Sequence, residues 1–247
     1  MQELLLLSRA SPTPPVPAGD MLFTYNGYDV QEWVVPDGVT LISIGCIGSG
    51  GRGSLSRSTA SSTTGSLVSG DGGGTAYVNN IAVTPGQVLL IAIGVGPAQV
   101  AAGELTLSKK TNGNPTSVSR YGTILCQAQG AGSMGQRVGM GYAGGAGFGR
   151  YNSSLASLIG GGAGTFKQAG EQGSTGTRRG GLGTNLLGNP VTPSTVAGGN
   201  YGGGGGIDYN NPSIITLGAG GNGAVRIFWD GESGLNRSFP DNIALAA

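Results

Sequence analysis

The stretch GGNYGGGGGIDYNN, Gly198 to Asn211, holds five consecutive glycines: Gly202, Gly203, Gly204, Gly205 and Gly206. Either this run is a flexible linker or it is part of a fold, and the choice decides how the rest of the chain is read. Glycine accounts for 52 of 247 residues, about three times its usual share of ~7%. Four blocks hold most of it: Gly48 to Gly74, Gly130 to Gly149, Gly160 to Gly188, and Gly198 to Gly206. Ordering a five-glycine backbone costs on the order of 5–10 kcal/mol, so every peptide group in an ordered run needs a partner. A polyglycine II bundle offers one. Its left-handed helices rise about 3.1 Å per residue and have no internal hydrogen bonds. Lacking side chains, neighbouring helices approach closely enough to exchange N–H···O=C bonds laterally. The blocks are not collagen, which requires glycine at every third position, and they keep no solenoid register. Linkers join domains, whereas these blocks alternate with apolar strand candidates. The expectation is an ordered bundle with Gly202–Gly206 as one rod.

The strand candidates lie on either side of the blocks. Met21 to Tyr25 and Val30 to Val35 are short apolar runs around Asn26-Gly27, a hairpin signal. Pro36 to Gly38 is a turn, because Pro presets φ and Gly supplies a positive one. Thr40 to Ile47 alternates, with Leu41, Ser43, Gly45 and Ile47 on one face and Ile42, Ile44 and Cys46 on the other. Thr75 to Gly94 contains two apolar runs around Thr84-Pro85-Gly86-Gln87, a type II turn signature, and Val88 to Ile93 has the composition of a central strand. Weaker strands are expected at Leu105 to Ser108 and Thr123 to Gln127. Ser213 to Gly218 and Gly223 to Trp229 close the pattern. No amphipathic helical period is present. These elements predict an all-β chain of about eight to ten strands, arranged as a jelly-roll-like antiparallel β-sandwich with the glycine segments inserted as a polyglycine II helix bundle.

Composition narrows the function. Charged residues make up 10% of the chain and the net charge is +1, so the basic stripe of a nucleic-acid binder is not expected. The chain has no histidine, which removes the commonest general base and metal ligand and makes a Ser-His-Asp triad impossible. Cys46 and Cys126 each sit in an apolar run and read as buried free thiols, with a disulfide left open. Leu4 to Leu7 is too short for a signal peptide, and Glu3 stands where a positive charge would be expected. No run approaches the roughly 20 apolar residues of a membrane-spanning helix, so membrane insertion is not expected. The segment 1–20 continues through SPTPPVP, an extended polyproline-like stretch. It reads as an anchoring arm, with Leu4, Leu5, Leu6, Leu7, Pro14 and Pro15 as its contact residues. The folded domain is expected over 21–240, followed by a tail over 241–247.

Chemistry-bearing motifs are sparse. GAGGNG, Gly218 to Gly223, matches the dinucleotide fingerprint, but a strand follows where a helix should. No Gly-Lys pair exists, so there is no phosphate-binding loop. Glu171 and Asp208 are isolated in glycine-rich sequence. Asp230 and Glu232 lie just past a strand end, where solvation is expected. No catalytic residue, cofactor or metal is assigned, and the chain is read as non-enzymatic. Tyr142, Phe148, Tyr151, Tyr201 and Tyr209 lie in or beside the blocks. They are candidates either for receptor contact or for packing along a bundle edge.

Three stretches taken together carry a resemblance: FTYNGYDVQEWVVPDGVTLISIGCIGSGG, IAVTPGQVLLIAIG, and the closing GGNGAVRIFWDGESGLNRSFP. In this order they resemble the glycine-rich domain proteins of tailed bacteriophages, which are tail-fibre or other virion structural components. The likeness covers about residues 21 to 240. The order is similar, more distantly, to the glycine-rich domain of anaplastic lymphoma kinase receptors, a jelly-roll-like sandwich with polyglycine inserts. Tail-fibre tip adhesins of T-even-like phages also carry polyglycine bundles with receptor-binding loops at their ends. The first block, rich in serine and threonine, departs from both patterns. The resemblance implies a virion protein made in the host cytoplasm, with other virion proteins as partners and a homo-oligomer such as a trimer. It also implies an alternative: a tail-fibre adhesin that attaches to a host-surface glycan or outer-membrane protein through loops of the glycine blocks.

Overall fold

The structure is a computed structural model. It describes residues 16–57, 65–100, 107–108, 111–132, 137–140, 143–146, 149–151, 161–164, 170–172, 180–184, 190–192, 195, 197–211, 214–230 and 237–240. The arm residues Leu4 to Leu7, Pro14 and Pro15, the tail 241–247, and the candidates Tyr142 and Phe148 lie outside the described residues. Every regular element among the described residues is a strand, and every named strand pairing is antiparallel.

Two four-stranded sheets form the sandwich. The first has the order β1 (Gly19–Thr24), β16 (Ala224–Trp229), β3 (Leu41–Ile47), β6 (Thr75–Ala82). The second has the order β10 (Thr123–Ala128), β9 (Thr116–Arg120), β7 (Val88–Ala92), β2 (Gln31–Val34). Alternation decides which side chains go inward. Ile42, Ile44 and Cys46 of β3 and Val225 and Ile227 of β16 meet Trp33 of β2, Leu89 and Ile91 of β7, Val118 of β9 and Cys126 of β10 in one buried core. Trp33 packs on Trp229 with ring centroids 5.7 Å apart.

The hairpin expected at Asn26-Gly27 and the turn expected at Thr84 to Gln87 are both corners between sheets. β1 and β2, on either side of Asn26-Gly27, belong to different sheets. So do β6 and β7, on either side of Thr84 to Gln87. The second turn itself forms as read: Gly86 has φ of +76° and Gln87 N–H donates to the Thr84 carbonyl at 3.0 Å. Turn chemistry specifies a reversal, and the reversal here carries the chain across the sandwich rather than back along one sheet.

The central strands of the first sheet, β16 and β3, are buried on both faces over most of their length. The sheet's second face carries Ile47, Tyr77 and Phe228, covered by Phe239 and the half-buried Tyr201. A bulge in β6 opposite β3 holds this cover in place. Asn80 takes φ of +56° there, a conformation that asparagine tolerates better than most residues. The neighbouring Asn79 amide donates to the Phe239 carbonyl at 2.8 Å, and its oxygen accepts from Phe239 N–H at 3.0 Å.

Smaller sheets lie beyond the sandwich. One has the order β11 (Gly149–Tyr151), β5 (Gly65–Val68), β4 (Ser54–Arg57), β8 (Leu107–Ser108). Two more are pairs: β12 (Gly183–Thr184) with β13 (Pro190–Val191), and β14 (Ile207–Asn211) with β15 (Ile214–Leu217). Leu55 and Leu67 of the four-stranded sheet and Ile207, Ile215 and Leu217 of the β14–β15 pair form a second buried cluster. The sixteen strands among the described residues exceed the expected number, because several are two to four residues long or, like Thr116–Arg120, mostly polar.

Candidate functional site

The glycine segments run between the sandwich strands and the second cluster. Residues 48–53 lead from β3 to β4, 69–74 from β5 to β6, and 218–223 from β15 to β16. Gly202–Gly206 leads into β14 and is buried throughout.

Along this run the carbonyl partners lie on other segments and repeat every three residues. The carbonyls of Gly202 and Gly205 accept from Gly73 and Gly70 at 2.6 and 2.8 Å. Those of Gly203 and Gly206 accept from Gly221 and Gly218 at 2.8 and 2.9 Å. The Gly204 carbonyl accepts from Gly181 at 2.7 Å. The N–H groups go elsewhere: Gly202 donates to Asn222, Gly203 to Gly199, Gly204 to Gly161 and Gly205 to Gly51. The run is thus enclosed by the segments containing Gly51, Gly70, Gly161, Gly181, Gly199 and Gly221.

Other segments repeat the pattern. N–H donors of Gly48 and Gly51 go to Gly74 and Asp71, those of Ser49 and Arg52 to Asn114 and Thr111, and that of Gly50 to Gly221. Gly161 and Gly164 donate to Gly70 and Gly73, while Gly162 and Ala163 between them donate to Glu171 and Leu182. The first of these neighbour pairs runs antiparallel and the 161–164 pair runs parallel. A strand donates alternately to its two sides, with a period of two. A period of three turns successive peptide groups toward three directions and cross-links a bundle rather than a sheet.

The spacing leaves no room for side chains at the centre. A Cβ on Gly204 would lie 2.3 Å from the Gly70 carbonyl oxygen and 2.6 Å from that of Asp71. Where a segment carries a side chain, that group joins the network. Ser49 Oγ accepts from Asn114 N–H at 2.7 Å, Thr116 Oγ1 from Gly94 N–H at 2.9 Å, and Asn222 Oδ1 from Gly96 N–H at 3.0 Å.

Of the five aromatic candidates, only Tyr201 has a described side chain. It packs on the cluster of Ile47, Tyr77, Phe228 and Phe239, and burial pushes its phenol pKa up. Tyr151 belongs to β11 and Tyr209 to β14. Asp208 also lies in β14, so sequence beside the fourth block that reads as glycine-rich loop is a paired strand.

Sequence reasoning missed an ionic cluster on the second face of the first sheet. Arg226 of β16 donates through Nε and Nη2 to the two oxygens of Asp20 in β1, at 3.0 and 2.5 Å. Arg237 donates through Nε to Asp230 at 2.9 Å and through Nη2 to the Gly19 and Trp229 carbonyls, and Nη1 lies 3.4 Å from Asp20. Both guanidinium groups are 2% exposed. Asp230, expected to be solvated, is therefore an ion-pair partner, because Arg237 returns over the strand end. Glu232 lies outside the described residues. The signal in the sequence was an arginine at the centre of an otherwise apolar strand. A cavity of about 380 Å³ adjoins the cluster, lined in part by Val16, Thr40, Ser43 and Asn80. The arginines are engaged in pairing, so the cluster holds β1 and Arg237 onto the sheet.

Among the described residues no group of His, Cys, Asp or Glu is arranged to hold a metal ion, and no helix is long and apolar enough to cross a membrane. No protein-family model matches the chain, and no curated protein matches it.

Proposed function

We propose that the chain is a non-enzymatic structural component of a tailed-bacteriophage virion, a fibre or other surface part, built to be stiff rather than reactive. In this reading the glycine segments form a polyglycine II bundle set into a jelly-roll-like sandwich. Residues 1–20 anchor the subunit to another virion protein.

The observation that carries the reading is the threefold repeat of carbonyl partners on neighbouring segments along Gly202–Gly206. Polyglycine II has three residues per turn, so its peptide groups face three directions in succession. A bundle of such helices satisfies every backbone group without side chains. It presents little charge and few flexible side chains, properties that suit a rigid module. The order of the strand and glycine motifs supports the phage assignment through its likeness to glycine-rich virion proteins.

The test is incorporation. Particles of the phage that encodes the chain are expected to contain it, and deletion of residues 1–15, which leaves β1 and Asp20 in place, is expected to remove it from purified particles while the truncated protein still folds. Full occupancy without those residues would overturn the anchoring role. Absence of the intact chain from particles would overturn the virion assignment.

A further inference from the structure

Cys46 and Cys126 are the only cysteines in the chain, and the fold brings them together across the sandwich. Cys46 is on β3 of the first sheet and Cys126 on β10 of the second. Both are buried in the same core, and both are free thiols. Cys126 Sγ lies 4.0 Å from the Ile44 carbonyl oxygen. Ile44 is two residues before Cys46 on the same inward face of β3, so Cys126 sits against the strand that presents its partner.

The sheets are close here for a reason readable in the residues. Facing sheets normally stand about 10 Å apart, too far for a disulfide, whose Cα atoms lie within about 7 Å. At this end of the sandwich the inward residues are small: Cys46, Ala76, Cys126 and Ala128. Cα atoms of β10 come within 8 Å of those of β3 and β6. The pinch sets Cys126 of one sheet against the strand of the other sheet that carries Cys46.

We propose that Cys46 and Cys126 form an oxidisable inter-sheet thiol pair, which a low-molecular-weight disulfide converts into an intramolecular bond clamping the two sheets together. The exchange balances. One cysteine thiolate attacks the small disulfide, forming a mixed disulfide and releasing one thiol. The second cysteine attacks the protein sulfur of the mixed disulfide and releases the other. The two protein thiols are oxidised, the small disulfide is reduced to two thiols, and the two cysteine protons end on them. Because both groups are fully buried and burial holds the Cys46 thiol protonated, the folded dithiol reacts slowly. Oxidation proceeds through opening of the sandwich or before folding is complete. The clamp closes a long loop, which is where a cross-link stabilises most.

The test uses the intact chain. Protein is unfolded in denaturant, then refolded in parallel with reduced glutathione alone and with a mixture of reduced and oxidised glutathione. The expected product of the second arm is a monomer lighter by two hydrogens, with a Cys46–Cys126 cross-linked peptide in a non-reducing digest. Its melting temperature should exceed that of the reduced form by on the order of 5–10 °C. Three results would each overturn the proposal: two thiols still titratable after denaturation, glutathione adducts or cross-linked dimers in place of the internal bond, or a cross-linked monomer that melts below the reduced form.

Discussion

At the scale of single residues, Gly204 distinguishes a packed rod from a linker by the sign of a stability change. In a linker, Gly→Ala stabilises by about 0.4–1 kcal/mol, because the unfolded chain loses freedom. In this structure the added methyl would overlap two backbone carbonyl oxygens, and backbone cannot move aside as a side-chain end can. Gly204→Ala is therefore expected to destabilise by about 1–3 kcal/mol or more, the usual cost of overpacking. Gly162 supplies the comparison within the same bundle. Its added Cβ would meet nothing closer than 3.1 Å, so Gly162→Ala should cost less. Urea midpoints of the two variants against the parent give the ranking, and a stabilised Gly204→Ala would show that the run is not packed as described.

At the scale of elements, β1 and β16 depend on a charge pair as well as on apolar contact. Arg226 is nearly inaccessible and its guanidinium is neutralised by Asp20, which also approaches Arg237. Removing one partner of a buried pair strands the other, at a cost of about 3–5 kcal/mol. Asp20→Ala is expected to fall in that range, measured by chemical denaturation. Arg226→Met together with Asp20→Ala should cost less than Asp20→Ala alone, because no buried charge is then left unpaired. The alternation of Leu41 to Ile47 and the apolar run Val88 to Ile93 were legible in sequence because a strand writes its own burial pattern. Thr116–Arg120 was not, since its outward positions are serines and only Val118 marks the core. Ile207–Asn211 was hidden by the glycines before it.

At the scale of the whole molecule, the glycine segments are continuous with core strands at one end and with the second apolar cluster at the other. The backbone bonds of these segments run mainly between segments, so loss of the sandwich should release the segments together. Trp33 and Trp229, both in the sandwich, report one end by fluorescence. Amide exchange of Gly203, Gly204 and Gly205 reports the bundle. The two probes are expected to give one coincident transition in denaturant. Exchange of those amides within seconds under native conditions would mean that the bundle opens independently of the core.

The sequence by itself determined the all-β class, the positions of the main strands and the turn at Thr84 to Gln87. The absence of histidine likewise ruled out chemistry that depends on it. These are local properties, set by alternation, proline and glycine dihedrals, and composition. Only the tertiary structure decided that adjacent strands cross between sheets, that Asp20 meets Arg226, and which segments surround Gly202–Gly206. The reason is physical. A glycine has no side chain to name its neighbour, and its N–H and C=O are the same as any other residue's. The partners of such a run are set by where the flanking strands place it.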